Sequence, residues 1–367
     1  MLESLSYLAL QQYCWIIVSF FGGLLALSMF VQGAQALIYT VGKTEEERDL
    51  IVKSIGRKWL YTFAALFVFG VAFLVSFPLF FAVSFGALYW VILFCFVIQT
   101  VSHEFLFKKN NFKGYKYFLM FGGIAGAVIV GTVIGTFFNG AFFSIKEANM
   151  TPYRGFEAIL NPHNLLLGIS LYLLARVLAL LYFINNIRNE QIVTRSKIRL
   201  FSNAIALVVC FFSFLVWLML KNGFSYDAAT KTVSMDAYKY FYNLLAMPLV
   251  FGLLLAGIGL LFFGIARSLI DSRFTDGIWY SGAGAKLTVF SFWLIAGLNH
   301  TCYYPSLYDI QDSLTIENSS STYQALKSVS YVSLATPFAL AFIFWKRKGA
   351  YGLNKNPLNI FDKVKPL

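Results

Sequence analysis

The apolar run from Tyr13 to Tyr39 constrains this chain most, because it exceeds the ~20 residues that a helix needs to cross the bilayer core. Its second half carries four polar side chains at helical spacing: Ser28, Gln32, Gln35 and Tyr39. Amide side chains gain nothing from facing lipid. This face is therefore expected to meet another helix, through hydrogen bonds, or a water-filled path.

A short surface helix is predicted directly after this first span. Gly42 ends the span, and Thr44 and Glu47 have the spacing of a capping box, in which both side chains accept hydrogen bonds from free backbone amides. Apolar and polar residues then alternate up to Trp59, which is typical of a helix lying flat at the membrane interface.

The composition indicates a polytopic membrane protein, with 59% hydrophobic and 13% charged residues. The formal net charge of +12 raises the question of nucleic acid. The basic residues lie in short loops between apolar runs, however, so they act as topology signals and lipid contacts, and no nucleic-acid partner is expected. The four cysteines are scattered and match neither a disulfide framework nor a metal cluster: Cys14, Cys95, Cys210 and Cys302.

Apolar runs predict nine transmembrane helices in one integral membrane domain, residues 1–367, with an all-α fold. The predicted spans are about 14–41, 59–81, 84–104, 116–138, 164–186, 201–220, 241–265, 284–302 and 327–345. Basic residues concentrate in the loops after odd-numbered spans, where Arg195, Lys197, Arg199 and Lys286 are counted, and in the tail. The positive-inside rule then places the N-terminus outside and the C-terminus in the cytoplasm.

Small residues and prolines predict how some spans end and pack. Pro78 and Pro248 are expected to end or kink helices, since proline lacks the backbone donor. Two strips of small residues are expected to let helices approach backbone to backbone, namely Gly123, Ala127, Gly131 and Gly135 in the fourth span and Gly252, Ala256, Gly257 and Gly259 in the seventh.

Arg176 lies about a dozen residues into the fifth predicted span, or ~18 Å along the helix axis. A guanidinium at that depth costs at least ~2.5 kcal/mol unless it is paired or hydrated. It either snorkels toward the cytoplasm or serves as counter-ion to a carboxylate, a cofactor propionate or a quinone oxygen.

The histidines are not expected to form a haem site. A bis-histidine site needs two histidines on facing helices at similar depth, and the predicted topology puts His103 and His300 on opposite sides, with His163 in an outer loop. There is no phosphate-binding glycine loop, nucleophile elbow or thiol pair. No catalytic centre is therefore expected on this chain alone.

Several stretches resemble subunit II of cytochrome bd-type quinol oxidases. They are residues 41–48 with 54–59, residues 72–78 with 85–90, residues 176–186, and residues 312–321 before a last span that ends in basic residues 346–348. The resemblance runs nearly from end to end, and the chain looks like a member of a variant branch of that family.

The resemblance implies two four-helix bundles plus a peripheral ninth helix, in the bacterial cytoplasmic (inner) membrane. It implies a pseudo-symmetric heterodimer with a haem-bearing subunit I, which would hold haems b and d and oxidise quinol, while this chain ligates no haem iron. It further implies that this chain supports assembly of the haem-bearing subunit and lines a candidate route for cytoplasmic protons. A small single-span subunit, lipids and quinone are further partners that the resemblance allows.

The sequence departs from the better-known members where they carry acids. Their Asp-Gly-Phe-Asp segment corresponds to Gln32-Gly33-Ala34-Gln35 here, and their His-Trp-Asp-Gly-Asn-Gln segment corresponds to residues 58–63. The acidic position at the end of the third span is retained as Glu104, with Gln99 in the preceding turns. A glutamine can hold a water chain but does not titrate, so the family's proton route does not transfer intact.

Two further interpretations stay open at this point. One is a secondary transporter with a midplane polar site at Gln32, Gln35 and Arg176, and the other is a membrane scaffold without flux of its own. Glu104 likewise has two interpretations, as a proton relay or as an interfacial ion pair with Lys108, four residues on.

Overall fold

The computed structural model describes residues 6–56, 58–107, 114–146, 149–150, 154–271, 273–318 and 321–350. The helices of the first half are α1 (Tyr7–Ser28), α2 (Phe30–Ala36), α3 (Ile38–Val41), α4 (Glu45–Gly56), α5 (Trp59–Ser76), α6 (Pro78–Ala87), α7 (Tyr89–Phe107) and α8 (Tyr115–Asn139). Those of the second half are α9 (Phe156–Leu160), α10 (Pro162–Asn186), α11 (Glu190–Leu220), α12 (Lys239–Ala246), α13 (Pro248–Ile270), α14 (Gly277–Gly297) and α15 (Tyr323–Ala350).

Three two-stranded antiparallel sheets occur in the connections within the described part of the chain. The strands are β1 (Phe143–Ser144) with β2 (Asn149–Met150), β3 (Gly223–Asp227) with β4 (Thr232–Asp236), and β5 (Cys302–Tyr304) with β6 (Leu314–Thr315). They lie together at the end of the molecule opposite α4, which we call the hairpin end.

Six helical runs of the described residues are long and apolar enough to cross a bilayer: Tyr7–Ala36, Glu45–Ser76, Tyr115–Asn139, Pro162–Asn186, Glu190–Leu220 and Pro248–Ile270. A seventh is reached if α6 and α7, bent by 89° at Leu88, count as one broken span. The multi-pass membrane fold is therefore confirmed. The count of nine transmembrane helices stays a prediction, because α14 and α15 are not among the six runs.

Both prolines begin new helices, which corrects two predicted spans. Pro78 is the first residue of α6 and Pro248 the first of α13, positions where the missing amide costs nothing. The second span therefore ends at Ser76 rather than near residue 81. The seventh does not start at residue 241, because α12 is a separate helix that ends at Ala246.

Four basic residues assigned to loops lie inside helices instead. Arg195, Lys197 and Arg199 belong to α11, and Lys286 lies within α14. The predicted starts at residues 201 and 284 were wrong because a helix satisfies its own backbone hydrogen bonds and continues past the apolar stretch that a hydropathy pattern detects.

The helix α10 is the hub of the fold. It packs on α8, α11 and α2 and also contacts α14, α13 and α1. Its residues 177–184 are all buried, which requires neighbours on every side of the helix. The remaining contacts pair α13 with α14, α1 with α14 and α5, α7 with α8, and α15 with α1 and α5.

Glycines bring α2 against its two neighbours. A Cβ at Gly33 would overlap the carbonyl of Ala175 and lie 2.6 Å from the backbone nitrogen of Arg176. A Cβ at Gly123 of α8 would lie 2.7 Å from Cβ of Gln35. The backbones of α2, α8 and α10 are thus in direct contact, as at small-residue crossings in membranes.

The predicted strip of small residues on α8 is confirmed as a packing surface, because Gly131 and Gly135 face the α10 backbone near Gly168 and Asn164. The strip on the seventh span was only partly right. Gly257 meets α14, whereas Gly252 and Gly259 have nothing within 4 Å of a built Cβ.

At the hairpin end, aromatic rings join the first and last parts of the chain. The indole of Trp15 donates to the carbonyl of Trp293 at 2.8 Å, and its ring lies 4.6 Å from that of Tyr303. These residues are fully or nearly fully buried, so this contact fixes α1 against α14 and β5.

The predicted capping box at α4 is confirmed. The Thr44 hydroxyl accepts from the amide of Glu47 at 3.2 Å, and the Glu47 carboxylate accepts from the amides of Lys43 and Thr44 at 2.7 and 3.1 Å. The same carboxylate accepts from Arg195 of α11 at 2.7 Å. Glu47 therefore caps α4 and attaches it to α11 at once.

Our first prediction concerns the contact of α2 with α10. Gly33→Ala should lower the thermal unfolding midpoint of the purified protein, because the new Cβ meets backbone atoms that cannot move independently, a strain of about 1–3 kcal/mol. The matched control is Gly252→Ala, where the space is open and alanine favours the helix. Equal midpoints for the two variants would contradict the packing described.

The second prediction concerns Glu47 and pH. Burial alone would raise the pKa of this carboxyl, but the hydrogen bonds from Arg195, Lys43 and Thr44 outweigh burial and hold the pKa below its ordinary value of 4.5. The ionised group therefore contributes stability above pH 4.5, and the contribution disappears as pH falls through the lowered pKa.

Glu47→Gln should accordingly lower the free energy of unfolding by about 1–3 kcal/mol at pH 7. The difference in thermal unfolding midpoint between this variant and wild type should become smaller below pH 4.5, as measured across a pH series. The exposed neighbour Glu46→Gln is the control and should show no such gap. If the difference in midpoint between Glu47→Gln and wild type stays constant down to strongly acidic pH, this role for Glu47 is refuted.

Candidate functional site

The polar face of the first span meets α7 through a hydrogen bond between two amides. Gln32, which is 3% exposed, donates from Nε2 to Oε1 of Gln99 at 3.3 Å. Gln99 in turn donates to the carbonyl of Gly122 on α8 at 3.3 Å. Gly126 makes room for this contact, because a Cβ there would overlap Nε2 of Gln99. The expected hydrogen bond between helices is therefore present at Gln32.

A small cavity of about 20 Å³ lies beside the two amides. It is lined by Met29, Gln32, Trp59, Thr62, Phe63, Leu66, Cys95, Gln99, Gly126 and Val130. Oε1 of Gln32 is buried and has no hydrogen-bond partner among the described protein groups. The space suffices for a water molecule, which needs ~10–15 Å³ and two or more polar partners.

Gln35 is buried more deeply than Gln32. Its side chain is 0% exposed, and neither amide atom has a hydrogen-bond partner among the described residues. It lies against Gly123, one helical turn from Gln32. An uncompensated amide costs about 1–3 kcal/mol, so stability alone does not explain a glutamine here.

Arg176 lies on α10 directly behind Gly33, with its side chain half-buried. Its Nη1 donates to the hydroxyl of Tyr172 at 2.7 Å, and its Cζ lies 5.4 Å from the centre of that ring. Nε is buried without a partner, and no carboxylate of the described residues pairs with it. Tyr172 is therefore its stabilising contact in this part of the chain, and the predicted counter-ion role stays untested.

Glu104 lies on α7 five residues beyond Gln99, or ~7.5 Å along the helix, toward the α4 end. Its side chain is exposed. Lys108, the predicted ion-pair partner, lies outside the described residues, so neither interpretation of Glu104 is decided.

The structure thus brings Gln32 and Gln99 into contact and places Gln35 and Arg176 around the same crossing of α2. Sequence reasoning missed Tyr172 and Thr62. The contact with Tyr172 could have been predicted, because Tyr172 and Arg176 lie one turn apart on the same helix. No local pattern pointed to Thr62, which donates to the carbonyl of Ser28 at 2.7 Å across α5 and α1.

Two histidines have partners other than a cofactor. His163 stacks on Trp217 with ring centres 3.8 Å apart, and Nδ1 of His300 lies 3.2 Å from the Glu317 carboxylate. The side chain of His103, on α7, is not among the described parts. Over the described residues, no group of three or more His, Cys, Asp or Glu is placed to hold a metal ion.

The fold and this buried amide cluster define a class, a polytopic helical membrane protein with a polar site at a tight crossing of helices. Residues 10–347 match the family described as cytochrome bd terminal oxidase subunit II. The match spans most of the sequence, so the chain belongs to that family.

Curated relatives agree with this assignment. The chain is 26% identical over 239 residues to a probable cytochrome oxidase subunit 2 of Haemophilus influenzae, which covers 60% of this chain and 63% of the relative. It is 22% identical over 370 residues to subunit 2 of the cytochrome bd-I ubiquinol oxidase of Escherichia coli K12, covering 94% of this chain and 96% of the relative.

The fold is also similar to a solved structure, that of bd oxidase from Geobacillus thermodenitrificans. The TM-score is 0.61 at 14% sequence identity, and the match covers 92% of this chain and 98% of the other. At this identity the similarity supports the fold alone.

The third prediction separates the two glutamines of the first span. Gln35→Leu should leave the thermal midpoint unchanged or higher, because it removes an amide that makes no hydrogen bond to the described protein groups. Gln32→Leu should lower stability by about 1–3 kcal/mol, because it leaves the Gln99 oxygen unpaired. A lower midpoint for Gln35→Leu than for Gln32→Leu would reverse this assignment.

Proposed function

We propose that this chain is the subunit of a bd-type quinol:oxygen oxidoreductase that ligates no haem iron and supports assembly of a haem-bearing partner. The family match over residues 10–347 is the observation that carries the proposal. The distribution of the histidines supports the absence of an axial ligand, because the predicted topology puts His103 and His300 on opposite sides of the membrane.

The proposed arrangement in the membrane has nine spans, as two four-helix bundles and a peripheral ninth helix, in one integral domain. Contacts within each half support it: α1 packs on α5, α6 joins α5 to α7, and α7 packs on α8, while α10, α11, α13 and α14 pack on one another in sequence order. Helix α15 touches mainly α1 and α5, consistent with a peripheral place. The N-terminus is placed in the periplasm and the C-terminus in the cytoplasm, on the distribution of basic residues.

In the proposed complex the partner, subunit I, carries haems b and d and oxidises quinol, and the two subunits form a pseudo-symmetric heterodimer. A small single-span subunit, lipids and quinone complete the proposed partners. These assignments rest on the family and on the relative named as a ubiquinol oxidase subunit. This chain supplies the packed helical surface, and the electron transfer takes place on the partner.

The proposed proton path enters at the α4 end and passes the amide cluster. Glu104 exchanges a proton with the aqueous phase at its carboxylate, and water along Gln35 and then beside Gln99 and Gln32 carries it inward. The water-sized cavity at Gln32 supports this path, as do Oε1 of Gln32 and both amide atoms of Gln35, which have no hydrogen-bond partner among the described protein groups. The glutamines orient water and do not titrate, so Glu104 is the acid on which the path depends.

The transporter interpretation receives no support from this site. The cavity at Gln32 measures about 20 Å³, whereas sites for small solutes measure ~300–1,000 Å³. Arg176 donates to the hydroxyl of Tyr172 and is not among the residues that line that cavity.

The fourth prediction tests the absence of haem ligands. Replacing His103, His163 and His300 one at a time should leave the reduced-minus-oxidised haem spectrum of the purified complex unchanged, because none is proposed to ligate iron. Pyridine haemochrome content per complex is the quantitative check. Loss of one haem band from a complex that still assembles would show that this subunit supplies a ligand.

The fifth prediction tests the proton path. Glu104→Gln should reduce quinol-dependent oxygen consumption severalfold or more at unchanged haem content, since each tenfold loss needs only ~1.4 kcal/mol added to the limiting barrier. Glu46→Gln, an exposed acid at the same end, is the control and should keep full turnover. Full turnover in Glu104→Gln would leave only the ion-pair role for Glu104.

A further inference from the structure

Arg176 carries a positive charge close to the middle of the bilayer. It lies 14 residues beyond Pro162, the first residue of α10, and 10 residues before Asn186, the last, which is ~21 Å and ~15 Å along the axis. Its Nη1 donates to the hydroxyl of Tyr172, one turn back toward Pro162. The side chain therefore extends toward the centre of the helix and away from the nearer membrane surface, which is the opposite of snorkelling toward the α4 end.

The guanidinium belongs to a partly exposed side of α10. Four residues recur there at spacings of four, three and four and are all half-buried, and we call them the outward stripe of α10: Leu165, Ile169, Tyr172 and Arg176. Gly168 and Ala175, which lie between them in sequence, are buried and touch the backbones of α8 and α2. The stripe therefore points away from those two helices and toward the surroundings of the chain.

The stripe has hydrogen-bond donors that the described residues do not use. A guanidinium has five N–H groups, of which one reaches Tyr172, while Nε is buried with no hydrogen-bond partner among the described residues. The Tyr172 hydroxyl accepts that bond and keeps its own proton for donation. Among the described residues no carboxylate forms an ion pair with Arg176. Arg176 and Tyr172 thus present a full positive charge and adjacent donors on one side of the helix.

The balancing negative charge has to come from another molecule. Of the 17 Asp and Glu residues in the sequence, only Glu104 falls inside a predicted apolar span, at its end toward α4. Lipid phosphates lie ~15 Å from the midplane, on the far side of the hydrocarbon from a guanidinium that extends toward the centre. A charge at this depth is costly unless it is paired. A carboxylate is the anion that matches the planar fork of an arginine, and only a helix would carry it at this depth with its own backbone satisfied.

We propose that the outward stripe of α10 is the docking surface for a transmembrane helix of a partner polypeptide that carries one Asp or Glu near the bilayer midplane. Its carboxylate accepts hydrogen bonds from Arg176 and Tyr172, and its apolar side chains pack on Leu165 and Ile169. Charge complementarity at a depth that lipid phosphates do not reach supports this occupant. The proposal is independent of the proton path and of which chain holds the haems, since it requires only the partner's helix and its acid.

Photocrosslinking in native membranes identifies the occupant and does not require loss of the arginine. Benzoylphenylalanine in place of Ile169, in the full chain with its natural partners, should form a product with a second polypeptide on illumination. Peptide mass spectrometry should place the crosslink in an apolar segment with an Asp or Glu within two turns. A segment without an acid, a second copy of this chain, a product with lipid or quinone alone, or no product would overturn the proposal.

Exchange of the chain out of the purified complex tests the charge pair. Arg176→Met should speed exchange against an excess of fluorescently labelled chain about thirtyfold or more, because loss of one member of a buried charge pair acts mainly on dissociation. Arg176→Lys should fall between this variant and wild type, since an ammonium keeps the charge without the planar fork. The control Arg199→Met, an exposed arginine on α11, should exchange at the wild-type rate. A wild-type rate in Arg176→Met would contradict the pairing.

Discussion

The backbone contact between α2 and α10 at Gly33 is the constraint on which the rest of the structure depends. Because Gly33 lies directly on Ala175 and Arg176, while Gly123 brings α8 to the same turn, three helices meet with almost no side-chain volume between them. Gln32 and Gln35 are 3% and 0% exposed at this crossing. The position of the polar cluster is thus a consequence of the crossing.

The chemistry at this crossing is unusual for a membrane interior. Two amides and a guanidinium have buried polar atoms without a hydrogen-bond partner among the described residues, although the surrounding packing is tight. The two amides do not titrate, and the charge at this crossing is the guanidinium of Arg176. Such a cluster costs stability, and retention of polar groups at that cost is what a site for ordered water or proton movement requires.

The sequence predicted the features that depend on local chemistry and missed those that depend on distant neighbours. The capping box at Thr44 and Glu47, the small-residue strip on α8 and the inward face of Gln32 follow from spacing alone, and all three are present. The loop assignment of Arg195 and Lys286 was wrong, since α11 starts at Glu190 and Lys286 lies inside α14, because hydropathy marks where lipid begins and not where a helix begins. The contact of Arg195 with Glu47 joins residues 148 apart in sequence, and no local pattern encodes such a pair.

The central claim is that this chain works as the haem-free subunit of an oxygen-reducing complex. The direct measurement is to purify the chain through an affinity tag from its native membranes in mild detergent, and to measure haem content and quinol-dependent oxygen uptake of the eluate. We expect a second, haem-bearing polypeptide in equal amount, with oxygen uptake that follows it through size-exclusion chromatography, and no haem on the tagged chain once the two are separated. A tagged chain that elutes without a haem-bearing partner and without oxygen uptake, from membranes that retain quinol oxidase activity, would contradict the account.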